Sequence, residues 1–355
     1  MTPDSPVTDS PRESSNAAPV TATLASLLLF VVSVAAFNPD NLPPRDRTVP
    51  SNLEPTTAGP EQPGATSEPV TAPPPAEPST SEPVTAPPPA EPSTSELPGG
   101  GTRIFAGRRF LVAYYGTARS GALGVLGEAP PDRIMPRLRR AAAPFKREGE
   151  LIQPVYELIV TIADAGPGRD SDFNHDIRRA DVAAYVAAAR RNKVLLILDI
   201  QPGRTGFLNV AKRWAWALRD PWVGLALDPE WRVGPRQVPA QVIGSVSAEE
   251  VNRTAAWLAA MVRREGLPEK ILMLHQFRSS MIRDIDQIRR REGLAMIQHI
   301  DGFGTPGQKL ATYRAVARPR QFAMGFKLFY DEDRPRMGAA AVRRLRPIVR
   351  FVSFQ

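Results

Sequence analysis

Eight short apolar runs, each about the length of a strand, follow one another through residues 103–355: Phe110–Tyr115, Tyr156–Ala163, Val194–Ile200, Val223–Leu227, Ile271–Leu274, Ala295–Ile300, Phe322–Phe329 and Ile348–Phe354. Helix-like stretches separate most of them. Arg178–Arg191 and Gly307–Ala317 carry apolar residues at helical spacing, and Ser247-Ala248-Glu249-Glu250 is a capping-box pattern opening a helix to about Gly266. This count and alternation predict an α/β fold, a (β/α)8 TIM barrel, which typically takes about 250 residues. No helix-like stretch follows the eighth run, so a helix before the first strand, or part of the preceding segment, is expected to cover the gap.

The preceding 102 residues are of another kind. Residues 1–16 are polar and expected to be disordered. Residues 17–37 are apolar and uncharged over 21 residues, just long enough to span a bilayer, and Ser33-Val34-Ala35 followed by Ala36 resembles a signal-peptide cleavage site. The segment reads as a transmembrane anchor or an export signal. Residues 38–102 form a linker dense in Pro, Thr, Ser and Glu, in which Thr66–Ser79 is repeated as Thr80–Ser93. The repeat has no apolar face to stack, so it reads as an extended, disordered stalk, whose 28 repeated residues reach roughly 90 Å at ~3.1 Å per residue.

Charge divides at the same place. Residues 1–102 carry 3 basic and 12 acidic side chains, and residues 103–355 carry 42 and 25. The basic excess is nearly all arginine, scattered over helices as in GC-rich, actinobacterium-like proteomes. Without aromatic–basic interleaving it does not point to a nucleic-acid partner. Cysteine is absent, which excludes disulfides, thiolate metal sites and a cysteine nucleophile. An anchor, a stalk and a cysteine-free barrel suit an extracytoplasmic, envelope-associated protein.

Active sites of such barrels lie at the C-terminal strand ends. Side chains alternate faces along a strand, so Gly224, Ala226, Asp228 and Glu230 share one side and Leu225, Leu227 and Pro229 the other. The small residues suit the crowded interior, which places Asp228 and Glu230 at its mouth. By the same parity Asp199 and Gln201 on the third strand and Lys327 on the seventh point inward. Asp301 follows the sixth strand. Converging carboxylates are what glycoside hydrolysis needs: one stays protonated as acid, another stabilises positive charge or positions the attacking group. Strand-end carboxylates can also serve only as helix caps. Trp231, Tyr115 and Tyr330 are candidates for stacking on sugar faces, and His275, Gln276, His299, Gln201 and Lys327 for binding hydroxyls; ordinary packing is the alternative for each aromatic residue.

The strand-four stretch Val223-Gly224-Leu225-Ala226-Leu227-Asp228-Pro229-Glu230 resembles the Asp-Gly-apolar-Asp-apolar-Asp-x-Glu motif of chitinase-like glycoside hydrolases. The glycine, both apolar positions, the last Asp and the Glu match; Val223 and Ala226 stand where that family has its other aspartates. The resemblance implies a general-acid role for Glu230 and a substrate-orienting role for Asp228. It extends to one strand, and supports a glycoside-hydrolase-like barrel acting on a wall or environmental polysaccharide. A non-catalytic carbohydrate-binding barrel is the alternative that Val223 and Ala226 favour. A metal-dependent hydrolase is a further alternative: His275 and His299 stand at strand ends where amidohydrolase-like barrels also carry histidine. That family's His-x-His on strand one and Asp on strand eight are replaced by Tyr114-Tyr115-Gly116 and Ser353. No metal and no cofactor is therefore expected; Gly121, Gly124 and Gly127 form no dinucleotide fingerprint.

Overall fold

A computed structural model describes residues 96–355. The segments read as a disordered N-terminus (1–16), an anchor or signal (17–37) and most of the stalk lie outside the described residues. Among the described residues no helix is long and apolar enough to cross a membrane.

Eight parallel strands close into a barrel. They are β1 (Arg109–Thr117), β2 (Leu151–Ala163), β4 (Leu195–Ile200), β5 (Val223–Leu227), β7 (Lys270–Gln276), β9 (Leu294–Ile300), β10 (Ala323–Leu328) and β11 (Val349–Phe354). The chain orders them consecutively around the ring, and β1 pairs with both β2 and β11 to close it. Each expected run lies on one of these strands. Three short strands lie outside the ring. β3 (Asn174–Asp176) adds antiparallel to the end of β2. β6 (Val246–Ser247) and β8 (Ile282–Arg283) pair with each other.

The helices between strands are α1 (Pro131–Ala142), α2 (Arg179–Asn192), α3 (Phe207–Arg213), α4 (Ala215–Leu218), α5 (Ala248–Arg264), α6 (Pro306–Val316) and α7 (Ala339–Arg343). Between β7 and β9 the chain makes only 3-10 turns and β8. Ser247 caps α5 by accepting from the Glu250 amide. The expected reciprocal bond is replaced, because the Glu250 carboxylate instead accepts from the Phe207 amide and from Arg232, tying α5 to α3 and to the loop after β5. The complete capping box is at α6, where Thr305 and Gln308 bond reciprocally.

Two apolar layers follow from strand parity. Leu225 and Leu227, like Leu196 and Leu198, pack outward against the helices. Leu111, Ala113, Val155, Ile197, Ala226 and Met273 fill the barrel. At the N-terminal end, Leu97 and Ile104 complete that inner cluster from below, both almost fully buried. Backbone and side-chain bonds hold this plug in place. The Ile104 amide donates to Glu269, the Glu269 amide to the Thr102 carbonyl, and the Arg109 guanidinium to the Gly100 carbonyl. The residues just before β1 thus cover the open end of the barrel. They do so without a helix.

Candidate functional site

All eight strands change character over one interior step. Moving two residues toward the C-terminal end, Ala113 gives way to Tyr115, Val155 to Glu157, Ile197 to Asp199 and Ala226 to Asp228. On the other four strands Met273 gives way to His275, Ile297 to His299, Gly325 to Lys327 and Phe351 to Ser353. The first set is the apolar interior; the second is a polar layer directly above it, and every member is buried. Burying so many polar groups is costly unless they are paired or hold a ligand, which marks this layer as the candidate site.

The layer is organised around His275. Its Nδ1 lies 2.9 Å from Asp301 Oδ2, and its Nε2 lies 3.1 Å from Glu157 Oε1 and 3.9 Å from Asp199 Oδ1. The Nε2 contact with Glu157 does not have hydrogen-bond geometry. His299 Nδ1 stands 3.6 Å from the same Glu157 oxygen, and its Nε2 is 3.1 Å from Ser353 Oγ. Room for this imidazole comes from Gly325: a Cβ there would approach His299 Cδ2 to 2.9 Å. Tyr115 donates to Asp199 Oδ2 at 2.8 Å, and the Lys327 ammonium sits 3.5 Å from the centre of the Tyr115 ring. Both Glu157 oxygens, Asp199 Oδ1, Asp228 Oδ1, Asp301 Oδ1, His275 Nε2 and His299 Nδ1 make no hydrogen bond to protein.

These contacts drive the protonation states apart. Burial opposes charge on Glu157, but the neighbouring His299 and His275 outweigh it and hold its carboxyl below the usual range. Asp301 is likewise held low against burial by its bond to His275. Burial also opposes charge on His275, and the facing Asp199, Asp301 and Glu157 raise it well above an ordinary histidine. Burial lowers His299 despite Glu157. Asp199 is pushed up to about 6, chiefly by burial. Burial and the nearby Glu230 charge push Asp228 well above the carboxylate range. Glu230 rises to about 7 through burial and the charge of Asp301.

Glu230 lies in the 3-10 turn Pro229–Trp231 that follows β5, and is partly exposed where Asp228 is not. Trp231 packs with Ala163 and near Ala240 beside that turn. Other candidate residues serve the scaffold. Gln201 accepts from the Ala163 amide. Gln276 has the opposite parity to His275; it accepts from Gln298 at 2.6 Å and donates to the Arg278 carbonyl. Tyr330 meets the Tyr114 hydroxyl at 3.2 Å and stacks on Phe354, in the outer layer. Sequence reasoning missed Glu157. The signal was present: it is the one charged residue in the run Val155-Tyr156-Glu157-Leu158-Ile159-Val160, on the parity that faces inward.

Compared with known proteins, the chain matches no family model, no curated protein and no solved structure.

Proposed function

We propose that this protein is an exported, envelope-associated glycoside hydrolase that cleaves a cell-wall or environmental polysaccharide at the C-terminal mouth of the barrel, with Glu230 as proton donor. The observation that carries the reading is the placement of Glu230: a half-buried residue in the turn after β5, beside the buried Asp199, Asp228 and Asp301. Glycoside cleavage needs one carboxyl that holds its proton near neutral pH and another group that bears negative charge beneath the sugar. Glu230, pushed up to about 7, suits the first part. Asp199, at about 6, and Asp301, held low by its bond to His275, carry charge near neutral pH and suit the second; Asp228, pushed above the carboxylate range, suits orienting the substrate by hydrogen bonding. Tyr115 fixes the orientation of Asp199 by donating to it, and Lys327 lies over the Tyr115 ring. The apolar segment at residues 17–37 and the Pro-rich stalk support delivery of the barrel outside the membrane, anchored or secreted.

A metal-dependent hydrolase is the second reading, favoured by the convergence of Glu157, His275 and His299. The deciding experiment is a screen of the purified full chain against wall glycans, scoring reducing ends released and glycan bound separately. New reducing ends, lost in Glu230→Gln, are expected. Binding without cleavage would convert the reading to a carbohydrate-binding barrel; neither binding nor cleavage on any glycan would remove it.

A further inference from the structure

Beneath the proposed sugar site, three fully buried side chains from three strands aim ligand atoms at one point. They are Glu157 from β2, His275 from β7 and His299 from β9, and their ligand atoms all lie within 4.8 Å of one another. We propose that they form a binding site for one divalent first-row transition ion, zinc by preference, in the floor of the barrel mouth.

Four observations carry this. First, the atoms that converge are bare. His275 Nε2, His299 Nδ1 and both Glu157 oxygens have no hydrogen bond to protein although buried. A buried nitrogen or carboxylate left in that state is destabilising, so such convergence calls for an occupant. Second, the spacing fits. Ligands about 2.0–2.1 Å from a tetrahedral zinc are roughly 3.3 Å from each other. His275 Nε2 and His299 Nδ1 lie 3.1 and 3.6 Å from Glu157 Oε1. Third, the opposite ring atoms are engaged as metal-bound histidines require. His275 Nδ1 has Asp301 Oδ2 at 2.9 Å, and His299 Nε2 has Ser353 Oγ at 3.1 Å. With an ion bound, Asp301 and Ser353 can each accept the ring N–H, which turns the lone pair of the other nitrogen toward Glu157. Fourth, the donor set is two imidazoles and a carboxylate, which suits zinc and its neighbours rather than magnesium or calcium. Asp199 Oδ1, 3.9 Å from His275 Nε2 and itself unpaired, is within reach of a fourth position.

The competing arrangement is an imidazolium at His275 bridging Glu157 and Asp301 with no ion. It uses His275 but leaves His299 Nδ1 unexplained.

The test uses the purified full chain. Elemental analysis for manganese through zinc comes first, followed by titration of chelator-treated protein with Zn2+ alone, read by calorimetry and by thermal unfolding. About one equivalent of metal, saturable 1:1 binding and a raised Tm are expected. Ser353→Ala should weaken binding about 10–100-fold by freeing the His299 ring, the usual effect of removing an outer-shell partner. Glu157→Gln should weaken it further. The proposal fails if the protein carries no such ion and binds none saturably, which would favour the imidazolium. It fails equally if both variants bind as tightly as the parent, since the ion would then sit elsewhere. Should Glu157→Gln not fold, the parent titration and Ser353→Ala still decide. Since glycan turnover is not the readout, this outcome is separable from that of the hydrolase proposal.

Discussion

The two halves of the barrel interior are built on the same eight strands and the same parity, yet they obey opposite rules. The lower half is hydrocarbon: Leu111, Val155, Leu195, Ile271 and Phe351, sealed below by Leu97 and Ile104. The upper half, one step along, holds Glu157, Asp199, Asp228, His275, His299 and Lys327, nearly as buried. Burial in the lower half releases water from apolar surface and stabilises the fold. In the upper half it strips water from charges and leaves several carboxylate and imidazole atoms without hydrogen bonds. A chain that places both directly against each other uses the lower half to support the strain of the upper. Stability and function should therefore separate by layer.

The largest expected effect is in the upper half. Glu230→Gln keeps size and hydrogen bonding but cannot give a proton, so turnover of a cleaved glycan should fall about 10²–10⁴-fold while glycan binding survives. Near-parental turnover would move the acid role to another carboxyl. Stability should not fall with it. A carboxyl raised to about 7 in the folded chain favours folding most at pH below its ordinary range, and that contribution is lost as pH rises through 7. Against the parent, Glu230→Gln should thus gain stability between pH 5 and 8, as thermal unfolding at each pH will report.

Next comes the lower half. Leu97→Ala removes a side chain only 2% exposed from the plug and should cost about 2–5 kcal/mol of stability in denaturant unfolding. Turnover per folded molecule should be unchanged. If activity drops while stability holds, the halves are not separable.

The smallest effect sharpens the upper half alone. After burial, the Asp301 charge is the main cause of Glu230's raised value. Asp301→Asn should therefore shift the alkaline limb of the kcat/KM profile to lower pH. A limb that stays or moves upward would mean that a group other than Glu230 sets it.

The sequence alone determined the layers that repeat along the chain. Eight apolar runs at strand length, separated by helical spacing, located all eight barrel strands, and alternation within β5 already placed Ala226 inside and Leu225 and Leu227 outside. Such patterns are legible because each strand obeys a period of two whatever its neighbours do. The same rule, applied to β2, pointed Glu157 inward, but its weight was hidden by lying mid-run instead of at a tip. Parity also separates His275, in the mouth, from Gln276, which bonds Gln298 in the outer layer. What only the tertiary structure decided is who meets whom. Glu157, His275 and His299 are far apart in the chain, and barrel closure alone brings their ligand atoms within 4.8 Å. The protonation of Glu230 likewise follows from burial and from the charge of Asp301, which follows another strand. No local pattern encodes such terms, because they depend on distances between residues that sequence spacing does not fix.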